Sequence, residues 1–94
     1  MMAIPRRPET DLYLAAVRDA VHSPGSWVVV RRTFDTEANA GVTASCLRGG
    51  YLRVIPYAGD DAIDVSGKRY LRTAAPVQTR ITKVDGGWCL EVRA

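Results

Sequence analysis

The sequence is poor in the residues from which catalytic and metal sites are built. It holds one histidine and two cysteines in 94 residues, too few for a multi-ligand zinc site or a histidine-centred triad with a spare. Cys46 and Cys89 are far apart and outside any Cys-x-x-Cys spacing, so they read as reduced, buried thiols rather than a redox pair. The longest apolar run, Trp27 to Val30, falls far short of a membrane span. Met1–Ile4 is too short for the apolar core of a secretion signal, and Pro5-Arg6-Arg7-Pro8 follows at once, so a cytoplasmic location is expected, with no membrane partner. Gly49-Gly50 and Gly86-Gly87 lack the third spaced glycine or the Lys-Ser/Thr that makes a phosphate cradle. No cofactor, metal or catalytic residue is expected, and the chain reads as non-enzymatic.

Lysine is scarce as well, with Lys68 and Lys83 set against eleven arginines. Against ten acidic residues they leave a formal charge of +3 and a pI near 9.2. Alanine and valine are also abundant, the skew that GC-rich codon usage produces, so charge alone is weak testimony for a polyanionic partner. Composition is otherwise that of one globular domain, and at this length folding buries roughly 60–68% of the extended-chain surface.

Residues 1–8 read as a flexible arm and 9–94 as a single α+β domain. A helix is expected over 9–22, with Tyr13, Ala16, Val17, Ala20 and Val21 on one stripe and Glu9 and Asp11 suiting the first-turn dipole. Ser23-Pro24-Gly25 stops it. Ser26–Thr33 reads as a strand, apolar enough on both faces to be central. Asp35 or Thr36 caps a second helix, Glu37–Arg48, with Ala38, Val42, Cys46 and Leu47 as its packing stripe and Gly49-Gly50 as its stop. Tyr51–Pro56 is a further strand, 57–61 a loop, and the last third is strands alone. Ser66-Gly67 and Asp85-Gly86 each mark a two-residue hairpin turn.

The second hairpin checks itself. With Asp85-Gly86 as the turn, Ile81 falls opposite Leu90, Thr79 opposite Val92 and Arg80 opposite Glu91, apolar pairs on one face and opposite charges on the other. The first hairpin sets Asp64 against Arg69 and Ile63 against Tyr70. The expected fold is therefore two helices packed on one face of a mostly antiparallel sheet of about five or six strands, in the order α-β-α-β-β-β-β-β. The expected core is Tyr13, Val17, Val21, Trp27, Val29, Val42, Leu47, Leu52, Val54, Ile63, Leu71, Ile81, Trp88, Leu90 and Val92.

Subtracting paired charges sharpens the surface. Arg69 and Arg80 have cross-strand carboxylates, and Arg18 has Asp11 and Asp19 nearby. Among the remainder, Arg31, Arg32, Arg48, Arg53 and Arg72 lie around the second helix and its neighbouring strands. They are the candidate nucleic-acid-binding residues, holding phosphates while Tyr51 and Tyr70 stack on bases. Other features read more plainly. Arg48-Gly49-Gly50 is a helix cap rather than an RGG repeat, His22 lies on a polar helix face with no catalytic partner, and Asp60, Asp61 and Asp64 lack the spacing of a cation loop.

The run Pro24-Gly25-x-Trp27, the alanine-rich helix ending Leu47-Arg48-Gly49-Gly50, and Leu52-Arg53 resemble small proteins of actinobacteria and their phages. The resemblance covers about half the chain and brings no site residues. It implies an accessory protein of a high-GC bacterium or phage, with residues 77–93 as an addition. Two functions remain in view. One is binding of DNA or RNA through the arginines. The other is a protein–protein interaction module, a regulator or inhibitor, with the terminal strand Gly87–Arg93 as a sheet edge open to a homodimer or another chain.

Overall fold

A computed structural model describes residues 8–53, 62–65 and 68–94. In chain order the elements are α1 (Pro8–His22), β1 (Val28–Phe34), α2 (Glu37–Arg48), β2 (Tyr51–Arg53), β3 (Ala62–Val65), β4 (Lys68–Arg72), β5 (Gln78–Val84) and β6 (Gly87–Arg93). The protein is α+β, with two helices packed on antiparallel strands, in the element order read from the sequence. Among the described residues the strands are bonded as two three-stranded ladders, β1-β6-β5 and β2-β4-β3, and not as one continuous sheet.

Pro8, expected to end the N-terminal arm, instead opens α1, because proline's fixed φ suits a first helical position whose N–H has no partner anyway, and residues 1–7 of that expectation lie outside the described residues. Tyr13, Ala16, Val17 and Ala20 are buried, but Val21 at the helix end is 37% exposed. Thr36, not Asp35, caps α2, its hydroxyl accepting the Asn39 N–H at 3.1 Å. The buried stripe of α2 is Ala40, Ala44 and Leu47, whereas Ala38 and Val42 face solvent. Leu47 is the largest apolar side chain on that helix and fixes its rotation. Residues three and seven positions before it turn inward with it, and Val42, five before, turns out.

Among the described residues β1 is an edge strand, not a central one. β6 lies between β1 and β5, so the terminal strand is the centre of its ladder and the edges are β1 and β5. Val30 and Phe34 of β1 are buried and Val29 is 52% exposed, so only one face of the valine run is covered. Val29 pairs with Glu91 and Thr33 with Cys89. Val30, Arg31 and Arg32 thus occupy the place opposite Leu90 alone, a bulge that interrupts the edge. Gly87 closes this end: its φ is +151°, and a Cβ there would stand 2.3 Å from the Phe34 carbonyl oxygen.

The C-terminal hairpin has the register read from its turn, Ile81 opposite Leu90, Arg80 opposite Glu91 and Thr79 opposite Val92. In the other ladder Ile63 pairs with Tyr70 and Asp64 with Arg69, again as expected. α1 packs on β1 and β6, and α2 on β5, β6 and β2. The core between them holds Tyr13, Val17, Leu47, Leu52, Leu90 and Val92 of the expected set, with Trp88 and Ile81 half-buried against it, and Leu71 is buried too. Phe34, Val30, Ala40, Ala44 and Val77 complete it. Each fully buried Phe, Leu or Val contributes about 1.5–3 kcal/mol against exposure. Val54, the end of the expected strand at 54–56, the loop 57–61 with Asp60 and Asp61, and the Ser66-Gly67 turn lie outside the described residues. No helix among the described residues is long and apolar enough to cross a membrane.

Candidate functional site

The register of β2 against β4 alternates two kinds of pair. Tyr51 stands opposite Arg72, Leu52 opposite Leu71, and Arg53 opposite Tyr70. Leu52 and Leu71 are buried. The period of two therefore turns Tyr51, Tyr70 and Arg72 to the other face of the ladder. There the two tyrosine rings meet edge to face, with centroids 5.1 Å apart.

The chain on either side closes this face into a concavity. Past α2, Gly50 adopts φ +81°, a left-handed conformation that ends the helix. Gly49 N–H donates to the Cys46 carbonyl at 3.0 Å and Gly50 N–H to the Leu47 carbonyl at 3.1 Å. The segment after β4 is tied to the same corner: Thr73 N–H donates to the Gly50 carbonyl at 3.0 Å, and Val77 N–H to the Leu47 carbonyl at 3.4 Å. A Cβ on Gly50 would press on the Pro76 ring at 3.2 Å. The result is an open pocket of about 550 Å³ whose walls include Tyr51, Tyr70, Arg72, Thr73, Pro76 and the glycine pair. The sequence named Tyr51, Tyr70 and Arg72. It missed Thr73 and Pro76, which enter the pocket because the Thr73 N–H bond to the Gly50 carbonyl and the Val77 N–H bond to the Leu47 carbonyl hold that segment against the glycine pair.

The five arginines singled out from the sequence occupy different surroundings. Arg72 lines the pocket, and Arg53 stands opposite Tyr70 in the same ladder. Arg32 lies beside α1: its guanidinium donates to the Tyr13 hydroxyl and sits 4.7 Å from the Phe34 ring centroid. Arg48 Nη1 donates to Thr79 Oγ1 of β5 at 2.9 Å. Arg31 is exposed within the β1 bulge. Of the five, Arg72 lines the pocket, whereas Arg32 and Arg48 have neutral partners elsewhere.

The first ladder treats its cations otherwise. Arg80 and Glu91 form a two-pronged pair, Nη2 to Oε2 at 2.8 Å and Nε to Oε1 at 3.1 Å. The Glu91 hydrogen bond raises the Arg80 pKa further. Arg93 Nε donates to Gln78 Oε1 at 2.9 Å. Trp27, expected in the core, is half-buried on the face turned away from the helices, with Arg80 4.3 Å and Arg93 4.6 Å from its ring centroid. The aromatic face attracts both guanidiniums, so packing against arginine replaces burial in the core.

Both cysteines are free and half-buried. Burial, assisted by Glu91, pushes the Cys89 thiol above its ordinary range, which disfavours the nucleophilic thiolate. His22 is exposed, and its Nδ1 donates to the Arg18 carbonyl at 2.8 Å, a cap on the end of α1. No group of three or more His, Cys, Asp or Glu suited to a metal occurs among the described residues. Compared with known proteins, the chain matches no family description, no curated protein and no solved structure.

Proposed function

We propose that this protein binds single-stranded nucleic acid in the Tyr51–Tyr70–Arg72 pocket, as a small non-enzymatic accessory protein of a bacterium or phage. The observation that carries the reading is the meeting of two tyrosines and an arginine in one open pocket of about 550 Å³. Every base has a π-face, so stacking on tyrosine is tolerant of sequence and contributes about 1–3 kcal/mol per base. Arg72 holds a phosphate beside the stacked base, and Arg53 follows on the neighbouring strand. An extruded or unpaired base reaches such a pocket, whereas a base inside a duplex does not.

The test is fluorescence anisotropy with a labelled single-stranded oligonucleotide across a salt series. Binding should weaken as salt rises. Tyr70→Ala and Tyr51→Ala should each weaken it by about 5- to 150-fold, the range that base stacking spans. No binding at low salt, or binding indifferent to both tyrosines, would remove the proposal.

A further inference from the structure

The two edges of the β1-β6-β5 ladder are built differently, and the difference bears on self-association independently of the nucleic-acid reading. β1 carries the Val30–Arg32 bulge, which breaks its row of backbone groups. β5 has no such break. It pairs with β6 residue for residue from Gln78–Arg93 to Val84–Gly87, and among the described residues no strand pairs with its far side. It has no proline. Edge strands left long, regular and free of proline are templates for another strand.

The register fixes which groups are offered. A two-residue turn closes on a hydrogen-bonded pair, here Val84–Gly87, so the alternation of an antiparallel ladder turns the N–H and C=O of Thr79, Ile81 and Lys83 outward. From this juxtaposition we infer that β5 pairs antiparallel with β5 of a second copy about a twofold axis at Ile81, joining the two ladders into one six-stranded sheet.

The strand is self-complementary in that register. Ile81 meets Ile81 of the second copy, Thr79 meets Lys83, Arg80 meets Thr82, and Gln78 meets Val84. No like charges face one another. A register centred on Arg80 would set two guanidiniums face to face. The symmetric pairing uses the same patch on both copies, as a closed dimer requires. Val84, 39% exposed in the single chain, is covered in part.

Sedimentation equilibrium over a concentration series tests the pairing on the full chain. The parent should pass from monomer to dimer below about 1 mM, the weakest association worth the name. Thr82 is exposed, so Thr82→Lys leaves the fold intact while setting a cation against Arg80 twice per dimer. It should weaken association by about 2- to 30-fold. Thr82→Glu sets a carboxylate there and should leave association equal or tighter. Lys83→Pro removes an outward N–H that the β5–β6 ladder does not use. It should abolish the dimer with an unchanged far-ultraviolet circular dichroism spectrum. A monomer at every concentration, or a dimer equally indifferent to Thr82→Lys and Lys83→Pro, overturns the inference.

Discussion

The β5–β6 pair and the β2–β4 pair of this protein treat arginine in opposite ways. In β1-β6-β5, Arg80 is held by Glu91, Arg93 by Gln78, and both lie against Trp27. Between β2 and β4, Arg72 and Arg53 stand opposite tyrosines, and neither strand contains an acidic residue, whereas Arg69 at the other end of β4 pairs with Asp64 of β3. The first arrangement satisfies its cations within the fold. The second leaves aromatic faces and a guanidinium around a pocket. An arginine count cannot separate these cases, but the cross-strand partner can.

Mutations at the two ladders should separate in the same way. Leu90, wholly buried at the centre of the first ladder, should cost about 2–5 kcal/mol of folding stability as Leu90→Ala, read by chemical denaturation. Oligonucleotide affinity of the folded fraction should not change. Tyr70→Ala should do the converse, costing about 1–3 kcal/mol of binding by the stacking it removes. Its denaturation midpoint should move less than that of Leu90→Ala, since Tyr70 is only half-buried.

Smaller effects sharpen the contrast. Arg72→Ala should lower the slope of log affinity against log salt by about 1, whereas Arg80→Ala should leave the slope unaltered. Glu91→Gln should cost no more than about 1 kcal/mol of stability, because the Arg80 partner is 47% exposed and solvent screens the pair. Cys89 gives the smallest signal. Its folded pKa lies above the ordinary thiol value, so the unfolded chain loses its proton first as pH rises. Stability should be flat below the ordinary thiol range and decline above it. Alkylation of Cys89 in the native protein should lag that of a free thiol through the same interval.

Local chemistry made much of the fold legible. Asp85-Gly86 is a turn signal, and its register is confirmed by pairs that only one alignment satisfies, so the C-terminal hairpin was readable residue by residue. The tyrosine, alanine and valine stripe placed α1, and the cap residues at 35–36 and 49–50 placed the ends of α2. What sequence did not show was decided at longer range. Val28, Val29 and Val30 read alike, yet Val29 is exposed, because β6 pairs on one side of β1 and the helices cover one face. In α2, several small residues offer rival stripes, and the rotation was settled by Leu47 alone. Trp27 looked like core, but Arg80 and Arg93, more than fifty residues away in the chain, provide its cover. The candidate site was half visible. Tyr51, Tyr70 and Arg72 carry recognisable chemistry, but their meeting depends on the β2–β4 register and on Thr73 and Val77 bonding back to the Gly50 and Leu47 carbonyls. Neither feature has a periodic signature.

The salt series compares the ladders most directly: a labelled single-stranded oligonucleotide titrated against the parent, Arg72→Ala and Arg80→Ala. Binding should be salt-sensitive, with a slope that falls by about 1 for Arg72→Ala and stays at the parent value for Arg80→Ala. Absence of binding by the parent, or a loss confined to Arg80→Ala, would contradict the proposed function.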